Sequence, residues 1–267
     1  MLRCLASIFA LLAATTVAGT GAPRTTPTVV QHSHCVVAGG LTNPNVDWDV
    51  WQEIYQPAYP IWLKAHTHRG AECIMTFTGV TSWWFQHGAG PASPPTIVPV
   101  PVGKPLYTVE GRVHNAGNTS SRVSMAYLGI HVLETGTNFN YPAPGPPVSP
   151  TATPQPANHE IKHFKYDFYQ QKHLDGTFTI DNRIEVLAQG QSYVRPGTPA
   201  LAYYSVVSGS AVVTINGIAA RMAENTSIAI PANAAASIAS TAPHAVLAVT
   251  VLLTGDCDKN PNLCAGP

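Results

Sequence analysis

The stretch His66 to Gly79, "HTHRGAECIMTFTG", places two histidines two residues apart, a glutamate four residues after the second, and a glycine seven residues after the glutamate. On an extended strand alternate side chains share a face, so His66 and His68 point the same way, about 7 Å apart along the backbone. A turn at Arg69 and Gly70 would let Glu72 return toward them on the neighbouring strand. Further on, "VEGRVHNAGNTSSRV" carries His114, with Gly111 three residues before it and Asn118 four after. Three imidazoles and one carboxylate form a mixed nitrogen and oxygen donor set. Such a set suits Mn(II), Fe(II), Ni(II), Cu(II) or Zn(II) and disfavours calcium or magnesium.

The two stretches have the forms H-x-H-x3-E-x6-G and G-x2-H-x3-N, and in this they resemble the two signature motifs of the cupin superfamily. The resemblance covers roughly residues 51–135. It implies an all-β chain built on a cupin-like antiparallel β-barrel of jelly-roll type. It also implies one divalent transition metal inside, Mn or Fe foremost, with Zn, Ni or Cu as alternatives, held by His66, His68, Glu72 and His114. Glu72 is at the same time the candidate catalytic residue. Asn118 would be a structural turn residue, and Gly79 and Gly111 turn glycines. Val109 stands where the family usually has a proline, and the stretch between the motifs is longer than in compact members; neither departure touches a ligand.

The elements that must position these groups read as strands. Short runs rich in Val, Ile, Thr and aromatic residues recur between Gly and Pro punctuation, as in "CIMTFTGVTSWWF", "RVSMAYLGIHVL", "LAYYSVVSGSAVVTING" and "AVLAVTVLL". Helical periodicity is scarce, with "DWDVWQEIY" the best candidate. Residues 141–158 are dense in proline and lack charge, which predicts a semi-rigid linker. The expected organisation is therefore two barrels in tandem: a metal-binding domain over 45–137, the linker over 141–158, and a second, degenerate barrel over 160–254, followed by a tail over 255–267. Gly209 follows "YYSVVS" as Gly79 follows "CIMTFT", and counting back from Gly209 puts Ala202, Thr198 and Pro196 where Glu72, His68 and His66 stand in the first half. The second motif would place Ala236 at the histidine. A second half of that composition is expected to hold no metal.

Other side chains carry weaker expectations. "QHSHC" offers His32, His34 and Cys35 without an accompanying glutamate and reads as an exposed tail. His131 and His87 are expected at the surface, as are His159, His163 and His173. Arg69 and Arg112 each neighbour an inward-pointing histidine and should alternate outward. At least one ring of Trp83, Trp84 and Phe85 must face away from the barrel interior.

With 267 residues, 45% hydrophobic and 10% charged, the chain is a globular protein. Fourteen basic and fourteen acidic residues cancel, which argues against a nucleic-acid partner. Residues 1–22 read as a signal peptide, one arginine before an apolar run and then small residues, so the mature protein is expected to be secreted or periplasmic without stable membrane insertion. Cys257 and Cys264 should then pair across a short loop, leaving Cys35 and Cys73. The resemblance admits several activities. The leading expectation is a Mn- or Fe-dependent oxidoreductase, of dioxygenase or oxalate-oxidase/decarboxylase type, acting on a small organic acid or phenolic. Alternatives are a non-catalytic small-ligand binder, an isomerase or epimerase, and a structural protein. The partner is a small-molecule substrate or ligand, and a homo-oligomer is possible on these readings.

Overall fold

Alternating apolar and polar residues between glycine and proline breaks give a chain of β-strands and, among the described residues, no α-helix. The computed structural model describes residues 26–38, 48–57, 61–62, 65–85, 96–118, 126–135, 141–142, 160–171 and 176–264. The expected signal peptide and most of the expected linker lie outside these residues. The strands of the first part are β1 (Thr28–Val37), β2 (Trp48–Pro57), β3 (Ile61–Trp62), β4 (His66–Thr67), β5 (Gly70–Thr78), β6 (Val80–Phe85), β7 (Thr96–Pro101), β8 (Pro105–Thr108), β9 (His114–Asn118), β10 (Ala126–Glu134) and β11 (Tyr141–Pro142). They continue as β12 (Glu160–Gln171), β13 (Phe178–Ala188), β14 (Ser192–Arg195), β15 (Leu201–Ile215), β16 (Ile218–Ala223), β17 (Ser227–Ile230) and β18 (Ala236–Thr254), with a 3-10 turn over Pro261–Leu263.

Every pairing is antiparallel, and the strands form three sheets. One runs β12-β2-β10-β5-β8, and a second runs β11-β4-β9-β6-β7 with β3 beside β9. The third runs β1-β13-β18-β15-β16, with β14 on β18 and β17 on β15. The two halves are copies in strand order, since β12-β2-β10-β5-β8 corresponds strand for strand to β1-β13-β18-β15-β17. The copies exchange their outermost strands: β1, at the start of the chain, pairs with β13, while β12, after the linker, pairs with β2. The expected limits 45–137 and 160–254 are thus crossed at both ends, because edge pairing depends on contacts far apart in sequence rather than on any local pattern.

Of "DWDVWQEIY", Trp48 to Tyr55 lie in strand β2 rather than in a helix. Val50, Gln52 and Glu53 are all buried, so both faces of the strand are covered and no simple alternation marks it. Val50 turns to the other half and Glu53 to the interior of its own.

A large apolar cluster lies between the halves. Cys35, Val37, Ile180, Ile184, Leu201, Tyr203 and Leu252 from one side meet Val50, Cys73, Met75, Leu128, Ile130 and Val132 from the other. Removing that much apolar surface from water is the main force holding the halves together. A buried polar seam adds registration: Gln52 Nε2 donates to Thr250 Oγ1 at 3.0 Å, Ser205 donates to Gln52 Oε1, and Thr250 donates to Asn182 Oδ1 at 2.9 Å. Cys35 on β1 and Cys73 on β5 form a disulfide across this interface, and Cys257 pairs with Cys264 in the tail. The second half has its own interior, with Ala202, Tyr204, Val206, Leu247 and Val249. Among the described residues that of the first half is smaller, around Ile74, Trp83, Val100, Ala116 and Tyr127.

Two glycines set the geometry that follows. Gly70 opens β5 at φ +144°, and a Cβ there would strike the carbonyl oxygen of Val132. Gly209 has φ +84°, and a Cβ there would strike the carbonyl oxygen of His244. Each lets the backbone pass closer to a neighbouring strand than any other residue permits.

Candidate metal centre

Four groups named from the sequence converge inside the first half. His66 on β4 pairs in register with His114 on β9, which brings their rings to 4.5 Å between centroids. His68 follows just beyond β4, its ring 4.9 Å from both His66 and His114. The metal-binding atoms of His66, His68 and His114 all lie within 4.8 Å of one another. Glu72 arrives on β5, but not as a strand adjacent to β4. The two strands belong to different sheets, and the chain crosses between them at Gly70. Glu72 therefore faces the histidines across the barrel, with Oε2 3.2 Å from His114 Nε2 and 3.8 Å from His68 Nε2.

The site has a fifth group. His131, expected at the surface, is only 1% exposed, because β10 pairs with β5 and sets His131 directly opposite Glu72. Its Nε2 lies 3.6 Å from Glu72 Oε1 and 3.2 Å from Glu53 Oε2. The metal-binding atoms of His68, Glu72 and His131 form a second group within 4.8 Å, so His68 is common to both triads. Neither His131 nor Glu53 belongs to a spaced motif. The alternation of "YLGIHVLE" marked His131 as a strand residue, and only the register with β5 shows which face it takes.

Burial sets the electrostatics. Glu72, His68, His114 and His131 are all buried, while His66 is half-buried and marks the side nearest solvent. Burial holds the His68 imidazole down at about 3, with the nearby imidazoles adding to the effect and Glu72 opposing it. Burial alone would push the Glu72 carboxyl up, but the imidazoles of His131, His114 and His68 outweigh it and hold the group well below the usual carboxylate range. Glu72 is a carboxylate and His68 a neutral imidazole at neutral pH, the forms in which both coordinate metals.

The donor set fits a transition metal. The Arg112 carbonyl can only accept, so the 2.8 Å contact to His114 Nδ1 places the proton on that nitrogen and turns the Nε2 lone pair toward Glu72. With the proton on Nδ1, a lone pair faces a carboxylate oxygen at 3.2 Å. Two acceptors meeting in a buried site are unfavourable unless a cation stands between them or the ring takes up a proton. Trp83 stacks beside His114, with ring centroids 5.7 Å apart and a 29° tilt, and supports it from the interior.

No protein-family model matches the chain, and no curated protein matches it. Solved structures do. AerE from Microcystis aeruginosa aligns over 86% of this chain and 97% of its own, at 11% identity and a TM-score of 0.50. Oxalate decarboxylase from Bacillus subtilis aligns over 87% and 74%, at 12% identity and 0.50. A tryptophan-to-phenylalanine variant of the B. subtilis enzyme aligns over 78% and 70%, at 12% identity and 0.52. The chain has the tandem cupin fold. At these identities the likeness is one of fold, and activity has to be argued from the site.

Within this fold, the other expectations divide. Gly79 and Gly111 take positive φ, +67° and +73°, as turn glycines. Asn118 ends β9 opposite Ile61. Arg69 points outward, 3.9 Å from Glu134, while Arg112 is half-buried and contributes its carbonyl to His114. Trp83 turns inward. His87, His159 and His173 lie outside the described residues, as do the side chains of His163, Trp84 and Phe85.

In the second half the register agrees with counting from the glycine bend at two places. Phe85, six residues after Gly79, pairs with His114; Ile215, six after Gly209, pairs with Ala236. Glu72 pairs with His131, and Ala202 with Val251. At the third place pairing corrects counting by one. His66 pairs with His114, but Arg195 rather than Pro196 pairs with Ala236. The buried Arg195 guanidinium donates to Thr198 Oγ1 at 2.8 Å and to the Ala200 carbonyl at 2.9 Å.

Proposed function

We propose that this cupin is an exported, metal-dependent oxidoreductase acting on a small organic acid or phenolic, with one Mn or Fe ion held by His66, His68, Glu72 and His114. The observation that carries the reading is the cluster of His66, His68 and His114 in the barrel interior, with the buried, ionised Glu72 3.2 Å from His114 and 3.8 Å from His68. A divalent Mn or Fe held there would supply Lewis acidity, redox capacity and open coordination positions for substrate or dioxygen.

The protein's own residues would do the rest. Glu72 balances part of the metal charge. His114 is oriented by its bond to the Arg112 carbonyl. The half-buried His66 side is the approach for a small substrate, and the buried rings of Trp83 and Tyr127, 5.9 Å apart between centroids, help exclude water from the interior. His131 stands between Glu53 and Glu72, where it can hold a proton at Nε2 and exchange it with Glu53. Export is supported by the two disulfides, which persist in oxidising compartments.

The test is metal content of the purified protein followed by oxygen uptake with a panel of small carboxylic acids and phenols. Bound manganese or iron with substrate-dependent uptake, or with product release from oxalate without uptake, is the expected result. Bound zinc with no turnover of any substrate would instead mark a ligand-binding protein. His131→Gln should keep the metal and lower kcat by about 100-fold if His131 carries the proton.

A further inference from the structure

The second half lacks histidine at the motif positions, yet two histidines reach its rim from elsewhere. His32 and His34 are alternate residues of β1, the strand donated by the start of the chain. Across the sheet, His34 is in register with Asp181, Val251 and Ala202, and His32 with Arg183, Val249 and Tyr204. Ala202, Tyr204, Val249 and Val251 line the core of the second half, so both imidazoles face the same side as that core, at its rim. They stand three strands along from Ala202, the position equivalent to Glu72, and about 14 Å from it at the usual strand spacing. Their sequence, "QHSHC", is therefore a strand rather than an exposed tail. Cys35 points to the opposite face, in its disulfide with Cys73.

A carboxylate meets each imidazole. His32 Nε2 is 2.5 Å from Asp181 Oδ1, and His34 Nε2 is 3.0 Å from Asp258 Oδ1. The metal-binding atoms of His32, His34 and Asp181 all lie within 4.8 Å of one another. Asp181 is fully buried, and Arg183 Nη2 holds its other oxygen at 2.7 Å, which fixes Oδ1 toward the two rings. Asp258 comes from the C-terminal tail. That tail is closed by the Cys257–Cys264 disulfide and anchored where Thr179 Oγ1 donates to the Gly255 carbonyl at 2.8 Å. The histidine side chains are 38% and 30% exposed, so an ion can reach them from solvent.

We propose that His32, His34, Asp181 and Asp258 form a second divalent transition-metal site that clips the first strand of the chain to its disulfide-closed tail. Two imidazoles and two carboxylates are a four-coordinate set that suits zinc, and Arg183 supplies the outer contact that orients a ligating carboxylate. The site is additional to the centre around Glu72, shares no residue with it, and stands or falls separately.

The experiment is a zinc titration of the full chain against a chromophoric chelator near neutral pH, comparing wild type with His34→Gln and His32→Gln. Wild type should bind one more equivalent than either variant, or bind that equivalent at least tenfold more tightly, and zinc should raise its Tm more than theirs. Far-UV circular dichroism of the zinc-free proteins checks that the variants are folded, and two separate variants guard against one that is not. The difference between wild type and variants is decisive, not the total. If the centre around Glu72 bound nothing, wild type would still take up the one equivalent that the variants lose. Equal zinc uptake and equal affinity in wild type and both variants would overturn the proposal and leave two histidine–aspartate ion pairs.

Discussion

At the register position where Glu72 faces His131 in the first half, Ala202 faces Val251 in the second; where Phe85 meets His114, Ile215 meets Ala236. The two halves share strand order, glycine bends and an interface in which each donates its outer strand to the other. They differ in what lines the ring of residues around the motif positions. The first half has imidazoles and carboxylates in that ring and, among the described residues, a small apolar interior; the second has alanine, valine and isoleucine there, with the buried Arg195 at the His66 place, and a larger one. The fold is therefore held by the apolar contact between halves and by backbone geometry at Gly70 and Gly209, and not by the proposed metal ligands. Chemistry in the second half, where it occurs, moves to the rim, where β1 and the tail meet.

The comparison breaks first at the ligands. Glu72→Ala or His114→Ala should lower metal affinity by at least about 100-fold, since losing an outer-contact residue alone typically costs 10- to 100-fold. Ala202→Ser, at the equivalent place, should leave metal content unchanged. Elemental analysis after dialysis reads both.

The disulfides give the next largest effect. Cys35 and Cys73 close a loop of 38 residues between the halves, and replacing both with alanine should cost about 4 kcal/mol in the chain-entropy account. Replacing Cys257 and Cys264, seven residues apart, should cost about 2 kcal/mol. Urea unfolding of the two double variants measures the order, and equal losses would show that the bond between halves carries no special share of the stability.

The glycine bends sharpen the contrast further. Gly70→Ala and Gly209→Ala both meet a backbone carbonyl at positive φ, and each should destabilise by about 1–3 kcal/mol or more. Only Gly70→Ala should also reduce metal retention, because Gly70 is where the chain crosses from the His68 side to Glu72.

Acidity gives the smallest and most graded effect. In the metal-free protein, burial lowers His68 from its ordinary 6.5 to about 3, so between those values the unfolded chain binds a proton that the folded chain does not. Stability should fall as pH drops from 6.5 toward 3, and the depressed Glu72 carboxyl adds to the loss below 4.5. His68→Gln should flatten the upper part of that slope, as read from Tm against pH in the presence of a chelator.

The residues of the candidate centre were legible because their spacing is local. His66, His68, Glu72 and His114 sit in two short stretches whose turns need only Gly70, Gly79 and Gly111. The blank positions of the second half were legible for the same reason, apart from the one-residue shift from Pro196 to Arg195. His131 and Glu53 were not, because each enters the site through pairing with a strand more than fifty residues away. The exchange of β1 and β12 was hidden for a related cause, since an edge strand has the same alternation whichever sheet it joins. Strand β2 misled through Trp48, Trp51 and Tyr55, whose spacing imitates a helix when both faces of a strand are buried.

The central claim, one metal ion in the first half on three imidazoles and Glu72, is tested most directly by metal content in a His32→Gln/His34→Gln background, where the rim site cannot contribute. About one transition-metal ion per chain is predicted, falling to background when Glu72→Ala is added. The same metal content with and without Glu72→Ala would contradict it.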